Sequence, residues 1–180
     1  MVITVTLNPA MDKTLTLDEF SLGEVNRVTL IRQDIGGKGI NVSKVLKEFA
    51  IESVAIGFLG KTNEEVFRNE LKQKGITDKF ISIEGSIRTN TKIIDKKSNK
   101  VTEINEPGPL VTPIDLTKFY LLFDDLVKPE DIVVLSGRVS PGIPDDIYGL
   151  LTEKAKKKGA KVIVDAEGRF LKHAIAYKPH

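Results

Sequence analysis

The chain has no cysteine and no tryptophan, and His173 and His180 are its only histidines. Without thiols there is no disulfide, no thiolate metal site and no cysteine nucleophile, a composition in keeping with a cytoplasmic protein. Two isolated imidazoles argue against a histidine-rich metal centre or a His-centred triad. An excess of one charge is lacking as well. The 27 Lys and Arg face 25 Asp and Glu, a net charge of +2, so no broad field favours nucleic acid or an acidic membrane surface. Apolar runs stop after a few residues, well short of the roughly 20 needed to cross a bilayer. Met1 to Leu7 has neither a basic lead-in nor a cleavage-like stretch, and no signal peptide is expected. With 180 residues, one domain with a sizeable core is the expectation.

Two apolar rhythms alternate along the sequence. Val2–Leu7, Ser53–Leu59, Asp131–Leu135 and Lys161–Val164 are short and β-branched, as suits strands buried in a parallel sheet. Helical spacing appears between them. Val42, Val45, Leu46 and Phe49 are predicted to share an inward face, and so are Val66, Phe67 and Leu71 in a helix from an Asn63 cap to Lys74, stopped by Gly75. Thr112-Pro113 opens a helix to about Val127, and Ile143–Lys158 sets Ile147, Leu150, Leu151 and Ala155 on one side before Gly159. This order predicts an α/β fold with a mostly parallel sheet. Lys13–Phe20 with Val25–Arg32, and Ile87–Asp95 with Val101–Asn105, alternate polar and apolar residues instead. They are expected to form hairpins in a smaller sheet beside the main one.

In an open parallel sheet, ligands gather beyond the carboxyl ends of the strands. There the first strand runs into Asn8-Pro9-Ala10-Met11-Asp12, a later one into Ser136-Gly137-Arg138, and the last into Asp165-Ala166-Glu167-Gly168. One composite site is therefore expected, with Asp12 suited to hold hydroxyl groups. Gly36-Gly37-Lys38-Gly39 leads into a helix near Ile40, an arrangement that brings backbone amides close to oxygen-rich groups. It is not a Walker A loop, because Lys38 is followed by Gly39 and Ile40. Asn41 can face the same cleft. Arg88 and Asn90, two apart on a strand, share a face and combine a guanidinium fork with an amide. Lys156-Lys157-Lys158 has a sufficient structural explanation at a helix end, and His173 is assigned no chemistry. Ser136 lacks a G-x-S-x-G elbow and a partner histidine, which disfavours a serine hydrolase.

These segments, with Asn105-Glu106-Pro107-Gly108-Pro109, stand in the order of the ribokinase-like, phosphofructokinase B type carbohydrate kinases. The chain resembles that family along its entire length, in the wording of the subgroup holding 1-phosphofructokinase and tagatose-6-phosphate kinase. The resemblance implies a three-layer α/β sandwich within residues 1–180, with a β lid from segments at about 13–33 and 86–106. It implies phosphoryl transfer from ATP, with Mg²⁺, to a phosphorylated ketose. Fructose 1-phosphate going to fructose 1,6-bisphosphate is the first choice; tagatose-6-phosphate kinase and a non-catalytic sugar-phosphate-binding module are the alternatives. By the same resemblance Asp12 holds sugar hydroxyls, and Gly37, Lys38 and Asn41 line the sugar pocket. Arg88 and Asn90 close over the substrate, with Arg88 on the phosphate, and Ser136 and Gly137 border the phosphate. Lid sheets of the family pair between subunits, so a homodimer is expected.

Two departures stand out. Where the family often has Ser-Leu-Pro after Ser136-Gly137, this chain has Arg138-Val139-Ser140-Pro141. The family's Gly-Ala-Gly-Asp segment, which carries the catalytic base, and its Lys-Pro-Asn element do not occur; Lys178-Pro179-His180 is similar to an upstream Lys-Pro-Tyr, and by the same resemblance Asp165 belongs to the strand end facing the nucleotide region and is not a replacement base. The expectation is an amino-terminal portion of a sugar-phosphate kinase, with the carboxy-terminal part missing, that is inactive as it stands. Val162, Ile163 and Val164 are then expected to present an unpaired edge and an uncovered apolar face, leaving the fragment marginally stable and prone to associate.

Overall fold

β-Branched residues stiffen the chain at χ1 and pack well on a pleated surface, and they place the strands of the main sheet. The computed structural model describes residues 1–180. Its elements run β1 (Val2–Thr6), β2 (Ala10–Leu17), β3 (Leu30–Gly36), α1 (Lys38–Glu48), β4 (Ser53–Gly60), α2 (Glu64–Gln73), β5 (Thr77–Asp78) and β6 (Ile81–Ile83). There follow β7 (Arg88–Asp95), β8 (Lys100–Asn105), α3 (Pro113–Leu126), β9 (Ile132–Ser136), α4 (Ile147–Lys157), β10 (Lys161–Asp165) and α5 (Gly168–Ile175). No helix is long and apolar enough to cross a membrane.

The main sheet has the order β10-β9-β1-β4-β5, with β6 on the far end of β4, and its pairings are parallel. One face carries Ile3, Val5, Ile56, Phe58, Val133, Leu135 and Val162, which pack with Phe119 and Phe123 of α3, Leu151 and Ala155 of α4 and Ala174 of α5. The other face meets α1 and α2 through Ile40, Ala55, Leu59, Phe67 and Leu71. This is the expected three-layer sandwich. Helices approach from opposite faces on either side of β1, so the connections reverse between β1 and β9 and open a crevice at their carboxyl ends.

The second sheet, β3-β2-β7-β8, grows directly out of β1, because β2 starts at Ala10. The two hairpins join through a parallel β2–β7 pairing that sets Ala10 beside Arg88 and Asp12 beside Asn90.

Several expectations are corrected. On α1 the buried residues are Gly39, Ile40 and Ser43, whereas Val45 and Phe49 are 51% and 73% exposed. Close approach of the helix explains this: the Ser43 hydroxyl shares a 2.7 Å hydrogen bond with that of Thr4 on β1, and small residues allow it. Val66 is exposed for a related reason, since Phe67 and Leu71 alone reach the core. β3 begins at Leu30, not Val25, because the Asn26 carboxamide ties up the preceding loop by accepting from Ser21 N–H and donating to the carbonyls of Ser21 and Glu24. Asn63 precedes α2 without capping it; its side chain accepts from Ile87 N–H at 2.8 Å and donates to the Ile87 carbonyl at 3.2 Å. α4 starts at Ile147, past Pro144, four residues beyond the Ile143 expected for its start. At the sheet edge Val162 is buried, not uncovered: its N–H donates to His180 Nδ1 at 3.1 Å and its carbonyl accepts from His180 N–H at 2.8 Å. β10 is nonetheless the end strand of the sheet, as expected, with Ile163 47% exposed and Val164 half-buried. The lysine run is structural, as expected. Lys156 reaches the carbonyls of Tyr177 and Lys178, Lys158 that of Asp124, and Lys157 pairs with Glu153.

Phe119 is fully buried with its ring centroid 5.2 Å from that of Phe58 and 6.2 Å from that of Phe123. Phe119→Ala is expected to cost about 3–5 kcal/mol in urea unfolding, the range for truncating a core aromatic. Thr112→Ala, which breaks the Thr112–Asp115 capping box, should cost about 1 kcal/mol.

Candidate functional site

A cleft of about 550 Å³ lies between the carboxyl ends of β1 and β9, the start of α1 and one face of the second sheet. The sequence-selected residues Asp12, Gly37, Lys38, Asn41, Arg88, Asn90, Ser136 and Gly137 all line it. Strand alternation explains much of the convergence. Asp12, Thr14, Arg88, Asn90 and Lys92 are even-numbered residues of two strands in parallel register and so share a face. Asn105 pairs with Asn90 across the β7–β8 hairpin and extends the same wall.

The polar groups on this wall hold one another in fixed orientations. Arg88 Nη1 donates to Asn90 Oδ1 at 3.1 Å, and Asn90 Nδ2 donates to Asp12 Oδ1 at 3.0 Å. The amide of Asn90 is thereby oriented from both ends. Arg88 also donates through Nη2 to the Asn8 carbonyl at 3.2 Å. Burial lowers the Arg88 pKa, Asp12 and Glu106 oppose that, and the like charge of Arg138 adds to it. Gly36 lies against Asp12 so closely that a Cβ there would stand 2.0 Å from Oδ2. On α1, Lys44 Nζ donates to the Ile35 carbonyl at 2.5 Å and to Asn41 Oδ1 at 3.4 Å, which leaves the Asn41 amide nitrogen unengaged by Lys44. Burial lowers the Lys44 pKa, with Lys74 adding to the effect.

The opposite wall is built from backbone. Gly37 precedes α1 without a side-chain cap, so the amides of the first turn remain open at the cleft. Gly137 adopts φ +94°, a conformation that favours glycine, and is held from two sides. Its N–H donates to the Asp165 carbonyl at 2.9 Å and its carbonyl accepts from the Tyr148 hydroxyl at 2.9 Å. Burial pushes the Tyr148 phenol well above its ordinary pKa, so it remains a donor. Lys38 pairs with Asp165 at 3.2 Å, and Arg138 with Glu167 at 3.2 Å. Three buried side-chain oxygens of this cleft, Thr6 Oγ1, Asn8 Oδ1 and Ser136 Oγ, have no hydrogen-bond partner in the protein. Buried polar atoms are nearly always paired; here Thr6 Oγ1 and Asn8 Oδ1 are packed against Gly39 and Gly108.

Sequence reasoning missed Thr6, Lys92, Glu103 and Asn105 as lining residues, while Asn8 and Glu167 stand in the strand exits expected to form the site. A signal existed for some. A turn at Lys96–Asn99 fixes the β7–β8 register, which places Asn105 opposite Asn90 and Glu103 opposite Lys92. Lys44 and Tyr148 act through the residues they touch and carry no such signal. The cleft's carboxylates do not converge with further ligands, and no group of three or more Asp, Glu or His positioned for a metal ion is present.

The model of the pfkB family carbohydrate kinases matches residues 5–178. Over 177 residues the chain is 38% identical to the 1-phosphofructokinase of Xanthomonas campestris, an overlap covering 98% of this chain and 56% of that protein. It is 34% identical over 175 residues to the tagatose-6-phosphate kinase of Staphylococcus epidermidis, covering 97% of this chain and 56% of the other. The crystal structure of a possible 1-phosphofructokinase from Thermotoga maritima superposes with a TM-score of 0.90 at 36% identity, over 98% of this chain and 57% of that one. The chain thus spans less than three-fifths of the length of these relatives. Shared sequence from the first strand to the last helix, on the same ribokinase-like framework, makes this chain a member of the pfkB family of carbohydrate kinases.

Proposed function

We propose that this chain forms the sugar-phosphate-binding part of an ATP-dependent ketose-phosphate kinase, with fructose 1-phosphate as the acceptor and fructose 1,6-bisphosphate as the product. The observation that carries the reading is the Arg88–Asn90–Asp12 relay, which puts a guanidinium and a carboxylate at two ends of one preorganised wall. Asp12 accepts from sugar hydroxyls, and the amides of Asn41 and Asn90 add donors. Arg88 takes the phosphate through its planar fork. Gly37, Lys38 and the open first turn of α1 border the transferring oxygens, while Ser136 Oγ and Gly137 complete the floor.

Phosphoryl transfer rests on positioning and charge neutralisation. This chain supplies positioning for the acceptor. It holds no Gly-Ala-Gly-Asp segment, so the reading assigns it binding of sugar phosphate without turnover. ATP and Mg²⁺ belong to the whole enzyme, and a cytoplasmic setting goes with that substrate. The second sheet acts as a lid. Its far end exposes a row that runs Leu30, Thr16, Ile94, Val101 across the strands, with Leu30 63% and Val101 55% exposed. Such a row suits pairing with the lid of a second copy. Tagatose 6-phosphate is the second acceptor, since the relatives include enzymes of both names.

Calorimetric titration tests the reading: fructose 1-phosphate should bind without nucleotide, and fructose 1-phosphate against tagatose 6-phosphate ranks the acceptors. Arg88→Ala is expected to weaken sugar-phosphate binding by about 1.5–3 kcal/mol, the range for a charged hydrogen-bond partner, and to affect fructose far less. Equal losses for both ligands would remove the phosphate role.

Gly36→Ala should displace the Asp12 carboxylate and lower affinity for fructose itself while the unfolding midpoint shifts little; unchanged fructose affinity would dismiss Asp12 as a hydroxyl ligand.

For the lid, sedimentation velocity should show a dimer that the Leu30→Asp, Val101→Asp pair of substitutions converts to monomer. A wild-type chain that sediments as a monomer at tens of micromolar, roughly the range for modest interfaces, would refute pairing through this face.

A further inference from the structure

A second cleft of about 610 Å³ lies against the first. The two share Asn8, Arg88, Asn105, Gly137, Arg138 and Glu167, so the Arg138–Glu167 pair stands at the passage between them. Its walls are built. Asn8 and Ser140 are 4% and 2% exposed, and Asn8 Oδ1 and Ser140 Oγ lack partners. Among the guanidinium groups here, Arg169 is engaged with Asp145 at 3.0 Å and with the Phe170 ring. Arg88 is engaged with the Asn8 and Glu106 carbonyls and with Asn90. Arg138 differs from both: one 3.2 Å contact from Nε to Glu167 holds it, with the two side chains 64% and 69% exposed. A single-point exposed pair is weak and easily exchanged. The remaining N–H donors of Arg138 are free to turn to a better acceptor.

We propose that Arg138 completes, with Arg88, a two-guanidinium clamp for the substrate phosphate, and that Glu167 latches Arg138 until the phosphate displaces it. The inference deepens the sugar-phosphate reading and rests on it. Two like charges on one cleft repel each other, and Glu167 offsets that repulsion while the cleft is empty. A phosphate dianion brings more charge and more acceptor oxygens than the carboxylate and takes its place, whereas an uncharged sugar leaves the latch shut. The clamp thus makes phosphate recognition a competition between an external and an internal anion, set by residues 138 and 167.

Isothermal titration of the full chain with fructose 1-phosphate, inorganic phosphate and fructose tests this, with folding of each variant checked by its thermal transition. Glu167→Gln should tighten both phosphate-bearing ligands about two- to fivefold, as removal of a weak surface pair allows, and leave fructose unchanged. Arg138→Ala should weaken the same two ligands about tenfold or more. In the Arg138→Ala background, Glu167→Gln should no longer tighten anything, because the latch has lost its partner. An equal gain in both backgrounds would show a general charge effect and overturn the latch. If Arg88→Ala weakens fructose 1-phosphate and Arg138→Ala does not, the clamp falls while the sugar-phosphate reading stands. Should no phosphate ligand bind the wild-type chain, both are lost.

Discussion

Asn8 ties the molecule together where β1 leaves the main sheet to become β2. Its carboxamide donates to the carbonyls of Pro107 at 2.9 Å and Val139 at 3.2 Å, and its backbone carbonyl accepts from Arg88 Nη2. Four segments distant in sequence therefore meet at one buried residue: the rim of the main sheet, the start of β7, the loop after β8 and the loop after β9. The packing there is close enough that a Cβ on Gly108 would stand 2.3 Å from Asn8 Oδ1. A buried amide with unmet partners costs free energy, so this junction specifies one arrangement of the two sheets over others. The wall that carries Asp12, Arg88 and Asn90 can be no better ordered than this hinge of backbone and amide.

Charge around the cleft is balanced locally. Lys38 has Asp165, Arg138 has Glu167, and Arg88 feels Asp12 and Glu106. The near-neutral composition of the whole chain is thus repeated at the scale of the site, and no long-range field draws anions in. On the proposed reading, selectivity comes from short-range geometry, in which planar forks and oriented amides suit a ligand carrying both hydroxyls and a phosphate. Exposed pairs of this kind are also screened by salt, so their contribution changes with ionic strength more than that of the half-buried relay.

The sandwich was legible because its strands are short β-branched runs and its helices α3 and α4 carry strong boundary signals. Thr112 and Pro113 mark one start; Gly159 marks the other stop. α1 misled because its inward face is made of Gly39, Ile40 and Ser43, and a hydropathy pattern counts neither glycine nor serine as core. β5 and β6 are too short to show a period. Of the cleft, residues next to Gly or at strand exits stood out. Those placed by register alone did not, since Glu103 and Asn105 join the site only when β8 folds back on β7. Lys44 and Tyr148 were invisible for a different reason: each acts on a neighbour's amide or carbonyl, a relation that exists in space and not in the order of residues.

The parallel pairing of β2 with β7 has a kinetic consequence. Its hydrogen-bonded partners, Asp12 and Asn90, are separated by 78 positions, and the entire β4–α2 unit lies between them. Closing so long a loop is entropically costly until the intervening unit has collapsed against β1. Longer still is the 130-position span from Val2 to Ile132 in the β1–β9 pairing, so completing the main sheet carries the larger closure cost. Any state that lacks this pairing also lacks the Ser136–Gly137 side of the cleft, whatever the order of the second sheet.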